Sequence, residues 1–126
     1  MKKIITTTNA PAPIGPYSQA ILNGNTLYTS GQIAINPETG ELVMDDIKTE
    51  AKMVMKNLKG ILDEVGMTFE HVIKTTIFLS DMNNFSQVNE VYGSYFNEDT
   101  APARETVAVA ALPKFVNVEI SVIAVK

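Results

Sequence analysis

The stretch APARETVAVAALP, residues 101–113, and the segment VNVEISVIAV, residues 116–125, carry the pattern around which the chain is organised. Arg104 is the only arginine of the protein, and Glu119 is the only acid in the last twenty residues. The guanidinium of arginine is a rigid planar fork that holds a carboxylate through two parallel hydrogen bonds. Arg104 is therefore the first candidate for binding a small anionic ligand.

Both segments alternate apolar residues with polar or small ones, which predicts two β-strands. In the second segment Asn117, Glu119 and Ser121 alternate with valine and isoleucine. If these strands pair as a final hairpin with their apolar sets on one face, Arg104 and Thr106 join those three residues on the face away from the helices. Such a face is either solvated or covered by another copy of the protein, and periodicity alone favours solvation.

The pattern upstream of these strands predicts an α+β domain with two helices on one face of a mostly antiparallel sheet. Asn23-Gly24-Asn25 is a strong hairpin signal, because Asn-Gly tolerates the positive φ of tight turns. A stripe of apolar residues at helical spacing follows Asp45-Asp46 and ends at Gly66. The predicted order is a strand at 2–7, a hairpin at 18–22 and 26–35, a helix at 47–65, a strand at 72–80, a second helix at 85–96 and the final hairpin.

Two features of the first half point to a site. The loop of residues 9–16 holds three prolines and a glycine, and it delivers Tyr17 to a defined place because proline restricts its own backbone and that of its predecessor. Gly31 interrupts the strand that follows. A glycine inside a strand marks a bulge or the close approach of a ligand or another backbone.

Composition excludes several classes of function. The 126 residues predict one domain, residues 1–126, and the net charge of −4 disfavours a nucleic-acid-binding protein. The chain has no cysteine, which rules out thiolate catalysis, and its one histidine, His71, leaves a histidine-rich metal site or a Ser-His-Asp triad poorly supplied. We expect His71 to be an exposed or capping residue. No signal peptide or membrane span is recognisable, which predicts a soluble cytoplasmic protein.

The chain resembles a known family over nearly its whole length. The matching residues are Asn9-Ala10-Pro11, Ile14-Gly15-Pro16-Tyr17-Ser18-Gln19-Ala20, Tyr28-Thr29-Ser30-Gly31-Gln32-Ile33, Asn36-Pro37-Glu38-Thr39-Gly40, Phe78-Leu79-Ser80-Asp81-Met82, Phe85, Val88-Asn89, Val91-Tyr92, Pro102-Ala103-Arg104, Leu112-Pro113-Lys114 and Val118-Glu119-Ile120. They are similar to the reactive intermediate deaminases, or YjgF/RidA family, which are 2-iminobutanoate/2-iminopropanoate deaminases.

This resemblance implies a chorismate-mutase-like α+β fold, with two helices packed on one face of a mixed, mostly antiparallel sheet. It also implies a homotrimer with a central barrel and a site in each cleft between subunits, which reverses the preference for a solvated polar face. Neither a metal nor a cofactor is implied, because an imine is already electrophilic. The implied partner is a small 2-imino or 2-keto acid, without nucleic acid or membrane.

The resemblance also implies roles for individual residues. Arg104 would bind the substrate carboxylate, Glu119 would hold and activate the attacking water, and Tyr17 would contact the substrate across the cleft. Three further residues would line the pocket: Ser30, Gly31 and Asn89.

Three positions depart from the family pattern. Thr106 stands where the family often has a cysteine, Glu105 stands where a small neutral residue is common, and Phe115 is bulkier than the usual residue. These departures concern substrate range more than fold. Two other functions stay open: a module that binds a small carboxylate without turnover, and an RNA-cleaving or translation-inhibiting protein. A binding module needs the arginine but not the glutamate.

Overall fold

The computed structural model describes residues 2–126, which form a six-stranded sheet and two α-helices. Short 3₁₀ turns occupy Phe69–His71, Met82–Asn84, Glu98–Thr100 and Pro113–Phe115. The main elements are β1 (Lys2–Ile5), β2 (Ala20–Asn23), β3 (Thr26–Thr29), α1 (Ile47–Glu64), β4 (Val72–Leu79), α2 (Phe85–Gly93), β5 (Ala103–Ala108) and β6 (Val118–Val125).

The strand order is β1-β2-β3-β6-β4-β5, with β4 and β5 parallel and every other pair antiparallel. This architecture confirms the predicted mixed, mostly antiparallel α+β sheet. The predicted final hairpin is wrong, because β6 lies between β3 and β4 while β5 lies at the edge beside β4. Alternation gives the two faces of a strand but does not identify its neighbour, so the pattern of β5 suited either partner.

The register also corrects the predicted grouping of Arg104 with Glu119. Thr75 pairs with both Arg104 and Val122, and Thr75 and Val122 are buried beneath the helices. Directly paired residues project to the same face of a sheet, so Arg104 lies on the helix face.

Phe78 pairs with Glu119 and Val107, which lie on the opposite face, hereafter the open face. Thr106, which pairs with the buried Ile77, lies on the helix face with Arg104. Glu119 and Ser121 alternate with the buried residues of β6 and therefore lie on the open face. Asn117 precedes the strand, and its side chain donates to Glu50 of α1. The prediction that all five share one face is wrong.

Helix α1 forms as the pattern predicted. The Asp46 carboxylate accepts a hydrogen bond of 2.8 Å from the Thr49 backbone N–H and so caps the first turn. Val54, Leu58 and Ile61 are fully buried against the sheet, and burying each such side chain contributes about 1.5–3 kcal/mol. Gly66, with φ of 71°, follows the helix in the left-handed conformation that ends many helices.

The open face carries an apolar row across the sheet. Ile4, Ile21, Tyr28 and Ile123 occupy consecutive cross-strand positions, and Ile4 and Tyr28 are 51% and 46% exposed. No helix within residues 2–126 combines the length and apolar character needed to cross a membrane.

Candidate active site

The Glu119 half-site, defined as Tyr17, Ser30, Gly31 and Glu119, forms where β3 ends and the chain continues beside β6. Strand β3 ends at Thr29, earlier than predicted, and Gln32 then pairs with Ile120 through an isolated bridge. The Glu119 side chain lies over the Gly31 Cα, where a β-carbon would be 2.7 Å from Glu119 Cδ. Only glycine leaves this space, which explains the interruption of the strand pattern.

The Glu119 carboxylate is half-buried and uncompensated. Within residues 2–126 it forms no hydrogen bond or ion pair. Burial removes water from the charged form and raises the pKa of Glu119 above its ordinary value. A carboxylate with a raised pKa and no protein partner is suited to accept a proton from a bound water.

The proline loop, residues 9–16, places Tyr17 at the entrance to this half-site, and the Gln19 side chain holds the loop in position. The buried Gln19 amide accepts from the Thr7 backbone N–H at 2.7 Å and donates to carbonyls of Thr7, Ala10 and Pro11. Tyr17 follows this fixed loop, its backbone N–H bonded to the Gly15 carbonyl, with half of its surface exposed. Its ring is thus presented to the exterior by a loop with little freedom.

Ser30 supports the loop with its side chain. The Ser30 hydroxyl donates to the Ser18 carbonyl at 2.6 Å, and the Ser30 backbone N–H donates to the Gln19 carbonyl at 2.9 Å. Both bonds join the end of β3 to the segment that carries Tyr17. The structure therefore gives the Ser30 hydroxyl a partner within the protein.

A cavity of about 320 Å³ opens between Tyr17 and Gly31. Its remaining lining is mostly apolar, with two buried amides, Gln19 and Gln32, and one charged residue, Lys114. The lining residues are Pro11, Ala12, Ile14, Tyr17, Gln19, Gly31, Gln32, Ile33, Ile35, Pro113 and Lys114.

The Arg104 half-site, defined as Arg104 and Asn89 with the rings of Phe85 and Tyr92, lies at the β5 edge beside α2. The guanidinium donates to Asn89 Oδ1 at 2.6 Å, and its carbon lies 5.6 Å and 5.2 Å from the Phe85 and Tyr92 ring centroids. Both distances are within the range of cation–π attraction. No acid within residues 2–126 pairs with Arg104, so its remaining N–H groups are available to a carboxylate.

The two half-sites belong to different faces of the sheet. Gly31 contacts Glu119 and lines the cavity with Tyr17, while Arg104 and Asn89 are hydrogen-bonded to each other. Arg104 projects to the helix face and Glu119 to the open face, so one chain does not direct both groups at one ligand.

Sequence reasoning missed Glu50, a fully buried carboxylate on α1. It accepts hydrogen bonds from the Asn117 backbone N–H at 2.8 Å, from Asn117 Nδ2 at 2.8 Å and from the Val118 backbone N–H at 3.2 Å. These bonds hold the start of β6 and hence the position of Glu119. A signal was present, because Glu50 falls between Ile47 and Val54 on the apolar stripe of the helix, where an acid needs a partner.

The three departures from the family pattern lie in different environments. Glu105 faces away from Arg104, as alternation predicted, and bonds to Lys74 and Thr76, which lower the pKa of its carboxyl group. The Thr106 hydroxyl is buried without a hydrogen-bond partner in the described chain, and Phe115 is 83% exposed.

The fold and these groups define a class: a small α+β domain with a free arginine at one sheet edge and a free carboxylate on the open face. The profile of the family described as Endoribonuclease L-PSP matches residues 7–126, and the chain belongs to this family. This result confirms the resemblance found in the sequence.

The relatives are similar over almost their full lengths. A RutC family protein of Pyrococcus horikoshii is 53% identical over all of this chain and 99% of its own. The 2-iminobutanoate/2-iminopropanoate deaminase of Mus musculus is 49% identical over all of this chain and 93% of its own. The crystal structure of E. coli TdcF with bound serine has a TM-score of 0.92, 44% identity and 98% coverage of both chains.

Proposed function

We propose that the protein is a cofactor-independent imine hydrolase of the cytoplasm, a 2-iminobutanoate/2-iminopropanoate deaminase. It converts reactive 2-imino and enamine acids to 2-keto acids and ammonium. The observation that carries the proposal is the presence in one chain of an arginine without an acidic partner and a half-buried carboxylate without a cationic one. The name of the mouse relative and the serine bound to TdcF support a small amino-acid-derived carboxylate as ligand.

The complete site is formed between subunits of a homotrimer whose sheets surround a central barrel. Arg104 and Glu119 face opposite sides of one sheet, so a shared ligand requires these groups from two chains. The apolar row on the open face, with Ile4 and Tyr28 about half exposed, provides the surface that association would bury. In a closed ring of identical subunits, the Arg104 half-site of each chain meets the Glu119 half-site of the next chain, so every half-site is used once.

The reaction follows from the chemistry of the two groups. Arg104 binds the substrate carboxylate through paired hydrogen bonds, with Asn89 and the rings of Phe85 and Tyr92 fixing the guanidinium. Glu119 takes a proton from water as the oxygen attacks the C=N carbon, and it passes this proton to the imine nitrogen to give a carbinolamine. Glu119 then takes the proton of the carbinolamine hydroxyl and transfers it to the amino group, which leaves as ammonia as the C–N bond breaks and the ketone forms. Orientation and a general base together supply the acceleration.

The other predicted residues shape the cleft in this scheme. Tyr17 contacts the substrate from the rigid loop, and Gly31 leaves room for Glu119 and exposes its own backbone to the ligand. Ser30 contributes to binding mainly by holding the Tyr17 segment, since its hydroxyl already donates to the Ser18 carbonyl.

An RNA-cleaving function corresponds to the description of the family, but the residues favour it less. His71, the only histidine, accepts from the Thr68 backbone N–H through Nδ1 and completes a capping box before β4. Capping is one of the two roles, exposed or capping, that the sequence predicted for this residue. Its ring contributes to neither half-site, and the net charge of −4 opposes a polyanion.

Replacement of Arg104 tests the proposed activity. Wild-type protein is expected to accelerate hydrolysis of freshly generated 2-iminopropanoate, and Arg104→Ala is expected to abolish the acceleration because the carboxylate is no longer oriented. The rate of keto-acid formation measures this effect, with Lys74→Ala on the neighbouring strand as a control for charge. A well-folded wild-type trimer without activity would leave the non-catalytic binding module as the better assignment.

Gly31→Ala tests whether the position of the Glu119 side chain affects catalysis independently of the stability of the fold. A β-carbon at residue 31 displaces the end of a flexible side chain rather than backbone. We expect the melting temperature to change little while kcat falls at least tenfold, because Glu119 is moved from its water. Thermal unfolding and steady-state kinetics on the same preparation check this, and an unchanged kcat would contradict the assigned role of the Gly31 contact.

A further inference from the structure

We propose that the cavity beside Gly31 is a subsite for a second carboxylate on the substrate, bound by Lys114. The protein would then accept dicarboxylic 2-imino acids, in which the side chain also ends in an anion. This inference rests on the proposed imine hydrolysis and specifies its substrate class.

The cavity is larger than a methyl or ethyl side chain requires. Its volume of about 320 Å³ is at the lower end of the roughly 300–1,000 Å³ found for small-molecule sites. It begins at Tyr17 and Gly31, next to the proposed reaction centre, and extends to Pro113 and Lys114. A substrate with its reacting carbon near Glu119 can therefore direct a longer side chain toward Lys114.

Lys114 is the single charged residue in the cavity lining. Its ammonium group has no ion-pair partner anywhere in residues 2–126. Gln32, only 5% exposed, adds an amide to the same lining, and its Nε2 makes only a long hydrogen bond of 3.4 Å to the Ser30 carbonyl. The Gln19 amide in the same lining already bonds to the proline loop, so Lys114 and Gln32 are the groups that a carboxylate can use in this mostly apolar cavity.

The backbone at Lys114 is held in an unfavourable conformation. Lys114 and Phe115 have φ of 55° and 56°, in the left-handed region that non-glycine residues seldom adopt. The turn is closed by hydrogen bonds from the Phe115 N–H to the Leu112 carbonyl and from the Val116 N–H to the Pro113 carbonyl. Strain of this kind persists where the surrounding structure imposes it, and it concentrates at binding and catalytic sites.

Glu50 provides the support that such a turn needs. Its buried carboxylate holds the backbone of Asn117 and Val118, directly after the turn. Asn117 is also bonded to Ser80 at the end of β4. The wall that carries Lys114 is thereby attached to both a helix and the centre of the sheet.

For electrostatic reasons, only a substrate with a second carboxylate needs Lys114. Arg104 neutralises the carboxylate next to the imine, whereas a second carboxylate would enter a largely apolar cavity close to the ionised Glu119. Desolvation and repulsion between like charges oppose that step unless a cation is present. Lysine suits this purpose, because its flexible stem places a point charge over a range of side-chain lengths.

The test compares 2-iminoglutarate with 2-iminopropanoate, each generated in the assay by an amino acid oxidase. Wild-type protein is expected to hydrolyse both, and Lys114→Met is expected to lower the ratio of kcat/KM for 2-iminoglutarate to that for 2-iminopropanoate roughly tenfold, as loss of one charge-assisted hydrogen bond predicts. Lys114→Arg should restore most of the ratio. Lys52→Met, which removes the same charge from the surface of α1, is the matched control.

A wild-type protein that hydrolyses only 2-iminopropanoate overturns the inference but not the proposed function, and so does a ratio unchanged in Lys114→Met. If neither imine is hydrolysed, calorimetric binding of 2-oxoglutarate against 2-oxobutanoate decides the subsite independently. Preference for 2-oxoglutarate that is lost in Lys114→Met supports it, and equal binding overturns it.

Discussion

Mixing Arg104→Ala subunits with Glu119→Gln subunits is expected to restore imine hydrolysis, although each variant is inactive alone. In a site formed between neighbouring chains, some clefts of the mixed oligomer combine the intact Glu119 of one variant with the intact Arg104 of the other. Random assembly of equal amounts in a closed ring yields about one quarter of the sites intact. The measurement is specific activity after the two variants are unfolded together and refolded.

The double variant carrying both substitutions, mixed with wild type, is the control for this experiment. In that mixture every cleft that contains a substituted residue 104 or 119 should be inactive, so the specific activity should fall in proportion to the number of such clefts. Absence of recovery with the two single variants, despite demonstrated mixed oligomers, would place both groups in one chain. That outcome contradicts the opposite-face arrangement of Arg104 and Glu119.

Glu119→Gln is expected to lower kcat by roughly 10²–10⁴-fold, the contribution typical of a general base. The amide retains the shape and polarity of the side chain but does not accept a proton from water. Binding of a 2-keto acid to Arg104 should persist in this variant. Stopped-flow or steady-state kinetics, together with calorimetric binding of 2-oxobutanoate, separate the two effects, and full retention of kcat would contradict the role of Glu119.

The pH dependence adds an independent readout for Glu119. Burial raises the pKa of this carboxyl group above 4.5, so activity that needs its ionised form should fall as pH decreases through a value higher than for an ordinary glutamate. The free energy of unfolding changes in the opposite direction to activity. Ionisation of Glu119 is less favourable in the folded protein than in the unfolded chain, so the free energy of unfolding falls as pH rises through the raised pKa. Glu119→Gln should therefore unfold at the same or a higher temperature near pH 7, with the difference decreasing below the pKa.

Some of this molecule was predictable because the interactions are local. The apolar stripe of α1 and the Gly24 hairpin turn depend on neighbours within a few residues. The interruption at Gly31 was predicted to mark a bulge or the close approach of a ligand or another backbone, but the group that approaches is a side chain. Its cause, the Glu119 side chain, was identified only from the pairing of Gln32 with Ile120.

Other features depend on residues far apart in the chain. The sequence indicates no role for Lys114 beyond its place in the Leu112-Pro113-Lys114 match, because neither composition nor periodicity predicts a lysine with positive φ. Glu50 lacked an evident function until Asn117 and Val118, more than sixty residues later, were found to be its partners. Long-range hydrogen bonds leave no periodic trace in the sequence.

Alternation within the segments 101–113 and 116–125 was enough to identify two strands and to establish that Arg104 opposes Glu105 and that Glu119 opposes Ile120. The relation between Arg104 and Glu119 came only from the folded sheet, in which β4 separates β5 from β6 and sets the register of both. The physical reason is that side-chain alternation has a period of two residues along each strand but contains no information about the adjoining strand.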